Sequence, residues 1–311
     1  MKTKKLHDDF GVEIIGIDLR HELEDSQFQA LLDAYYEHSV LLFRGQNLTP
    51  ADQARLCHRF GQPKMETRKQ FNLREHPEVS TIGNVSNSEG KPLCFFARGG
   101  FGWHTDGTAA CHVNAATFLY AVEVPREGGD TLFLSSVKTY ERAPDALKRR
   151  LQAVSLLASF HAHNDPLLES DPESFIALTD EERAAIPPVW HKMIQTHPVT
   201  GRQLFYLNLD PLEFDGIDEP AGREAIDQII EIGSEASHVY RHRWTPGDLI
   251  IWDNHAMLHS GTPTASYEQD RRLMHRSFVY TLPTERPLPN YEAVSRIFAP
   301  TADSISLADF R

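Results

Sequence analysis

From residue 116 onward, short runs of β-branched and aromatic residues recur between Gly, Pro and Asp turns, and several links between them cannot hold a crossover helix. The runs are ATFLYAVEV (116–124), GDTLFLS (129–135), RQLFYLNL (202–209), HVYRHRW (238–244), GDLIIWDN (247–254) and RRLMHRSFVYT (271–281). A link as short as that in RWTPGDL predicts antiparallel pairing of the strands on either side. The expected fold is therefore mostly β, a sandwich or barrel buttressed by helices near both ends of the chain.

The N-terminal third supplies those buttresses. GVEIIGIDL (11–19) and SVLLFRG (39–45) read as strands. Ser26 with Gln29 three residues on predicts a capping-box start to a helix through FQALLDAYYEH. Thr49-Pro50 opens a second helix, ADQARLCHRF, which Gly61 closes. The acidic, proline-marked stretch 163–188 reads mostly as a surface insertion, with one helix capped by Thr179 and Glu182. No composition break divides the 311 residues, so one domain is expected, with lid or insert segments at 64–102 and 163–200.

Charge and cysteine usage narrow the partners. With 31 Lys+Arg against 44 Asp+Glu, the net charge of −13 leaves no basic surplus for nucleic acid or an anionic membrane. No run approaches the ~18 apolar residues of a membrane span. The start, MKTKKLHDDFGVEI, has no apolar run behind its basic residues, and three scattered cysteines do not make a disulfide framework. A cytoplasmic protein is expected.

Sixteen histidines call for a test by spacing. On a strand, His104 and Asp106 face the same way, and an imidazole and a carboxylate there can grip one ion from one edge. Together with a distant histidine they would form the two-His, one-carboxylate triad that leaves three positions open on Fe(II). The third ligand is not set by spacing: His255, His259, the His161/His163 pair, His191, and His238 with His242 all compete. Arg272 and Arg276 share a strand face with Met274 and Phe278, and two inward guanidiniums are costly unless each meets an anion. An outward-facing charged strand is the alternative.

Four segments in order, WHTD (103–106), GGDTLF (128–133), GDLIIWDN followed by His259, and RRLMHR (271–276), resemble the taurine dioxygenase and (2,4-dichlorophenoxy)acetate dioxygenase family of Fe(II)- and 2-oxoglutarate-dependent oxygenases. FGVEIIGIDL and LLFRGQNLTPADQARLCHRFG are similar to that family too, so the resemblance covers nearly the whole chain. It implies a double-stranded β-helix (jelly-roll) core, with His104, Asp106 and His259 as iron ligands. It also implies Thr131 and Arg272 on the distal carboxylate of 2-oxoglutarate, with O₂ as the other cosubstrate. The implied reaction oxidises a small molecule, usually by hydroxylation, and releases succinate and CO₂. Desaturation, epoxidation and C–heteroatom cleavage are alternative outcomes. A non-catalytic metal- or organic-acid-binding jelly roll and a zinc hydrolase are the alternatives from other classes.

The presence of Asp106 disfavours halogenation, since related halogenases carry a small residue there. Arg276 matches an arginine that meets the substrate sulfonate in the family's taurine enzyme, which implies an anionic substrate. That enzyme has an asparagine where this chain has Gly100, and WDNH replaces the frequent WDNR, so taurine itself is not expected. Arg98 and His255 are then candidate substrate contacts. Trp103 and Trp252 are read as packing, Asp253 and Asn254 as ordering the turn towards His259, and Cys94 and Cys111 as small buried hydrophobes. Family members are often dimers or tetramers, so a homo-oligomer is compatible with the resemblance.

Overall fold

A computed structural model describes residues 1–95, 102–107, 115–170, 177–208, 210–264, 270–282, 288 and 290–310. In chain order the elements begin β1 (Lys2–Lys5), β2 (Val12–Ile15), α1 (Asp25–His38), β3 (Val40–Phe43), α2 (Pro50–Phe60), β4 (Pro63–Lys64) and β5 (Ser80–Gly83). Next come β6 (Ala116–Glu123), β7 (Thr131–Ser135), α3 (Ser136–Arg142), α4 (Asp145–Leu151), β8 (Ser155–Ala158), α5 (Phe160–Ser170) and α6 (Asp180–Ala185). The rest are β9 (Val189–Lys192), β10 (Ile194–Thr196), β11 (Gln203–Phe205), β12 (Glu213–Asp215), α7 (Glu219–Gly233), β13 (Tyr240–His242), β14 (Leu249–Asp253), β15 (Met257–Gly261), β16 (Leu273–Val279) and α8 (Tyr291–Ile297).

The large sheet runs β1-β2-β3-β14-β6-β16-β4, and β5 also pairs with β16. All its pairs are antiparallel except β2 with β3, which α1 joins as a crossover. A smaller antiparallel sheet, β13-β7-β15, contributes Phe133 and Met257 to the core shared with the large sheet's Val40, Leu42, Leu119, Ala121, Ile250, Trp252 and Met274. The alternate residues Leu41, Phe43, Phe118, Tyr120, Leu249 and Ile251 pack with Leu31 and Tyr35 of α1 and Phe60 of α2. Both faces of these central strands are covered, which is why LIIWD is apolar without alternation.

Three expectations change. Among the described residues helix (31%) slightly exceeds strand (27%), so the β sheets carry more helix around them than expected. The missed helices α3, α4, α5 and α7 lie mid-chain; three of them span only 7 to 11 residues, too few turns for clear periodicity. RWTPGDL is a corner and not a hairpin: β13 joins the small sheet and β14 the large one. Gly247 turns there with φ +86°, and a Cβ on it would sit 2.6 Å from the Gln46 carbonyl. Finally, α1 starts before Ser26. Glu24 is its cap, exchanging hydrogen bonds with Gln27, whereas Gln29 donates to Asp33 inside the helix.

Elsewhere local chemistry matches structure. Thr49 accepts from the Asp52 backbone and Asp52 reaches back to the Thr49 N–H, with Pro50 in the first turn of α2. Thr179 and Glu182 form the same box at α6. The stretch 163–200 also supplies β9, which pairs with β8, so part of it is built into a three-stranded sheet. Within 64–102, β5 is likewise threaded into the large sheet. Cys57 and Cys94 are buried and free, and Cys111 lies outside the described residues. Among the described residues, no helix is long and apolar enough to cross a membrane.

Candidate active site

His259 sits in the middle of β15, and its backbone exchanges two hydrogen bonds with that of His104, at 2.9 and 2.8 Å. This single bridge replaces the regular strand expected around His104. Asp106 follows in a turn that Gly107 completes at φ +82°. The bridge and turn bring the two segments together: His104 Nε2 is 3.9 Å from Asp106 Oδ1, and His259 Nε2 is 3.7 Å from Asp106 Oδ2. One ligand atom from each residue lies within 4.8 Å of the others, close to what one ion spans with bonds of about 2 Å. Among the described residues this is the one His/Cys/Asp/Glu group that could hold a metal, so the competing histidines do not form another.

Each ligand is held by a neighbour. His104 Nδ1 is 2.8 Å from the Gly102 carbonyl, which fixes the tautomer with Nε2 open to a metal. Trp252 packs against the His259 ring at 4.7 Å, and Phe133 stacks on it at 6.3 Å. A relay supports the carboxylate. Trp252 Nε1 donates to Asn254 Oδ1, Asn254 Nδ2 donates to Thr117 Oγ1, and Thr117 donates to Asp106 Oδ2 at 2.9 Å. Asn254 thus reaches the ligand itself, beyond the turn-ordering role expected of it. Burial would raise the Asp106 pKa, but His259, Arg276, His104 and the Thr117 hydrogen bond outweigh it and keep the carboxylate ionised. Burial, reinforced by His104, lowers the His259 pKa to about 3, so its imidazole is neutral and able to ligate.

Thr131 opens β7, and its hydroxyl accepts from Trp244 Nε1 at 3.0 Å, leaving its own proton to donate. Arg272 precedes β16 and is half-buried, its backbone N–H donating to Asn84 Oδ1 at 2.7 Å. Arg271 turns outward instead and pairs with Glu123. Gly129 has φ +66°, and a Cβ there would lie 3.4 Å from Arg272 Nε and 3.2 Å from Thr264 Cγ2. The missing side chain therefore leaves room beside the guanidinium. Thr264 Oγ1 is buried there with no hydrogen-bond partner. A guanidinium, an available hydroxyl proton and an orphaned hydroxyl at a glycine-made recess suit a carboxylate. Sequence reading passed over Thr264 and Trp244, which no spacing linked to the motifs.

Arg276 is buried on the inner face of β16 and is ion-paired with Glu66. Its guanidinium lies 4.5 Å from the Phe278 ring centroid and 5.3 Å from that of Phe95. The acid at Glu66 was missed, together with Lys64 and Arg68. The signal was the period-2 run Lys64-x-Glu66-x-Arg68 just after α2, which puts three charges on one side of an extended segment. His255 packs edge-on against His197 at 5.4 Å, and His197 donates to Asp253. The structure therefore groups His255 with that pair. Arg98 lies outside the described residues.

A model of the family described as taurine catabolism dioxygenase TauD, TfdA family matches residues 2–278. The chain is 31% identical over 265 residues to the alpha-ketoglutarate-dependent 2,4-dichlorophenoxyacetate dioxygenase of Cupriavidus pinatubonensis, covering 82% of this chain and 90% of that one. It is 27% identical to pentalenolactone F synthase of Streptomyces avermitilis, covering 86% and 89%. Its fold matches the crystal structure of AAD-2 in complex with Mn(II) and N-oxalylglycine with a TM-score of 0.72, at 25% identity, covering 91% and 99%. On a match that runs from the first strand to the last residues of the sheet, this chain belongs to the TauD, TfdA family and is a non-haem Fe(II)- and 2-oxoglutarate-dependent oxygenase.

Proposed function

We propose that this oxygenase hydroxylates a small, anionic organic molecule in the cytoplasm, within a double-stranded β-helix core. The observation that carries the reading is the gathering of His104, Asp106 and His259 around one point, with Asp106 ionised and His259 neutral. When bound, Fe(II) with 2-oxoglutarate and O₂ supplies the oxidising power: one oxygen atom goes into succinate and the other into the substrate C–H bond, with loss of CO₂.

The chain's own residues set the rest. His104, Asp106 and His259 would hold the metal from one side, and the Thr117 relay keeps the carboxylate aimed. Arg272 and Thr131 would receive the distal carboxylate of 2-oxoglutarate in the recess that Gly129 leaves. Around Arg276, Lys64 and Arg68 add two more cations, which interact with the carboxylate of Glu66. That cationic surplus supports an anionic substrate. The relative named for 2,4-dichlorophenoxyacetate, a carboxylate, is in keeping with it.

An anaerobic titration with Fe(II) and then 2-oxoglutarate tests the cofactor half. The expected result is a weak visible charge-transfer band, absent in His104→Ala and Asp106→Ala. Arg272→Ala should shift the 2-oxoglutarate requirement by about 1.5–3 kcal/mol, or roughly 10- to 150-fold, for a lost charge-assisted contact. A folded wild-type protein that gives no band would sink the assignment. Product mass, measured once a substrate turns over, separates hydroxylation from desaturation or cleavage.

A further inference from the structure

Away from the three candidate ligands, two deeply buried polar side chains meet. His197 and Asp253 are 3% and 1% exposed, with His197 Nε2 2.8 Å from Asp253 Oδ2. His197 opens the turn between β10 and β11, and Gly201 helps to close it at φ +69°. The backbone N–H groups of Val199 and Thr200 both donate to His197 Nδ1, at 3.1 Å each. An accepting Nδ1 leaves the ring proton on Nε2, so His197 donates to Asp253. The turn's own backbone thus selects the tautomer.

Asp253 ends β14, and its side chain shapes the tight turn into β15. Its Oδ1 accepts from the His255 N–H at 2.9 Å, while Oδ2 takes the His197 proton. A carboxylate this deeply buried is costly unless donors meet its oxygens, and His197 is the side chain that meets the second one. β14 lies in the large sheet and β15 in the small one, so the two strands share no ladder across this turn.

The residues on either side of Asp253 support the metal site. Trp252 packs on the His259 ring at 4.7 Å. Asn254 Oδ1 accepts from the Asp106 N–H at 3.4 Å, and Asn254 Nδ2 donates to Thr117, whose hydroxyl meets Asp106 Oδ2. A shift of this turn would move the supports of both ligands together.

Resting on the function proposed above, we infer that His197 is a positioning residue for the metal centre. Its Nε2–H holds Asp253, Asp253 holds the turn, and the turn aims Asp106 through Asn254 and Thr117. The alternative is a local role, in which the ring serves only as the acceptor that closes the 197–201 turn.

The two ring nitrogens can be replaced one at a time. Asn carries an amide oxygen where Nδ1 stands, and Gln carries an amide nitrogen where Nε2 stands. His197→Asn therefore keeps the acceptor and loses the donor to Asp253, and His197→Gln does the reverse. Anaerobic Fe(II) titration at saturating 2-oxoglutarate, read at the visible band, gives metal affinity, and urea unfolding of the metal-free proteins checks the fold. His197→Asn should bind Fe(II) roughly 10- to 100-fold more weakly, as expected when a group supporting a ligand is lost. His197→Gln should stay close to wild-type affinity. Adding Thr117→Val to His197→Asn should cost less than the two losses combined, because both cut one path. If the Asn variant does not fold, Asp253→Asn breaks the same bond from the other side and carries the same expectation. Wild-type Fe(II) affinity in folded His197→Asn would overturn the inference. So would equal losses in the Asn and Gln variants, or losses that add in full with Thr117→Val. A wild-type protein that forms no band instead breaks the functional reading on which the inference rests.

Discussion

At the scale of single residues, His104 and Asp106 are each held by a polar neighbour, whereas His259 is held by the Trp252 and Phe133 rings. Asp106 is the clearest case, because its Oδ2 takes the Thr117 hydroxyl, which itself accepts from Asn254. Thr117→Val keeps the shape, removes the donor to Asp106 and leaves the Asn254 amide unpaired. Losing such a supporting contact should weaken Fe(II) affinity by roughly 10- to 100-fold in an anaerobic titration, and Thr117→Ser should restore it. Wild-type affinity in the Val variant would mean that the bridge to β15 alone aims the carboxylate. The ligand residues themselves were legible as types in order along the chain. Their helpers were not: Thr117 is one of several threonines in strands, and only the packing of β6 beside β14 puts it under Asp106.

At the scale of elements, β16 carries the widest mixture of roles, with one face in the pocket and the other towards α2. His275 lies on that second face, 7% exposed, its Nδ1 without a hydrogen-bond partner. Gln53 of α2 donates to its backbone carbonyl at 3.3 Å. Burial lowers the His275 pKa to about 4. The unfolded chain takes up this proton near pH 6.5, whereas the folded chain resists it down to about 4, so the unfolded state binds more protons in between. Stability should therefore fall as the pH drops through that window, by roughly 3 kcal/mol in full for this one group. Urea unfolding of His275→Gln between pH 7 and pH 4 should show a flatter acid limb than the wild type. Parallel limbs would show that His275 does not titrate this way. Local chemistry located some elements well, as with the Thr49–Pro50 start of α2, where the signal is a contact three residues away. It failed at RWTPGDL, because a short link is equally consistent with a hairpin and with a corner, and the choice depends on which sheet each strand joins.

At the scale of the whole molecule, the site exists only in the folded chain, since its three candidate ligands come from segments some 150 residues apart. Metal and cosubstrate that bind only the native state stabilise it by mass action, about 2.7 kcal/mol at a hundredfold excess over Kd. Denaturant unfolding with Mn(II) and 2-oxoglutarate should show that gain in the wild type, and Asp106→Ala should lose it. An equal gain in the variant would place the metal elsewhere. The sequence by itself determined the family, the order of its motifs and the helix starts, because each is written in residues a few positions apart. Only the tertiary structure decided that Arg276 faces Glu66, that Thr264 and Gly129 border Arg272, and that Lys64 has no carboxylate within 4 Å among the described residues. Those pairings depend on strand register and sheet membership, which set what lies opposite a side chain and are not encoded in any local spacing.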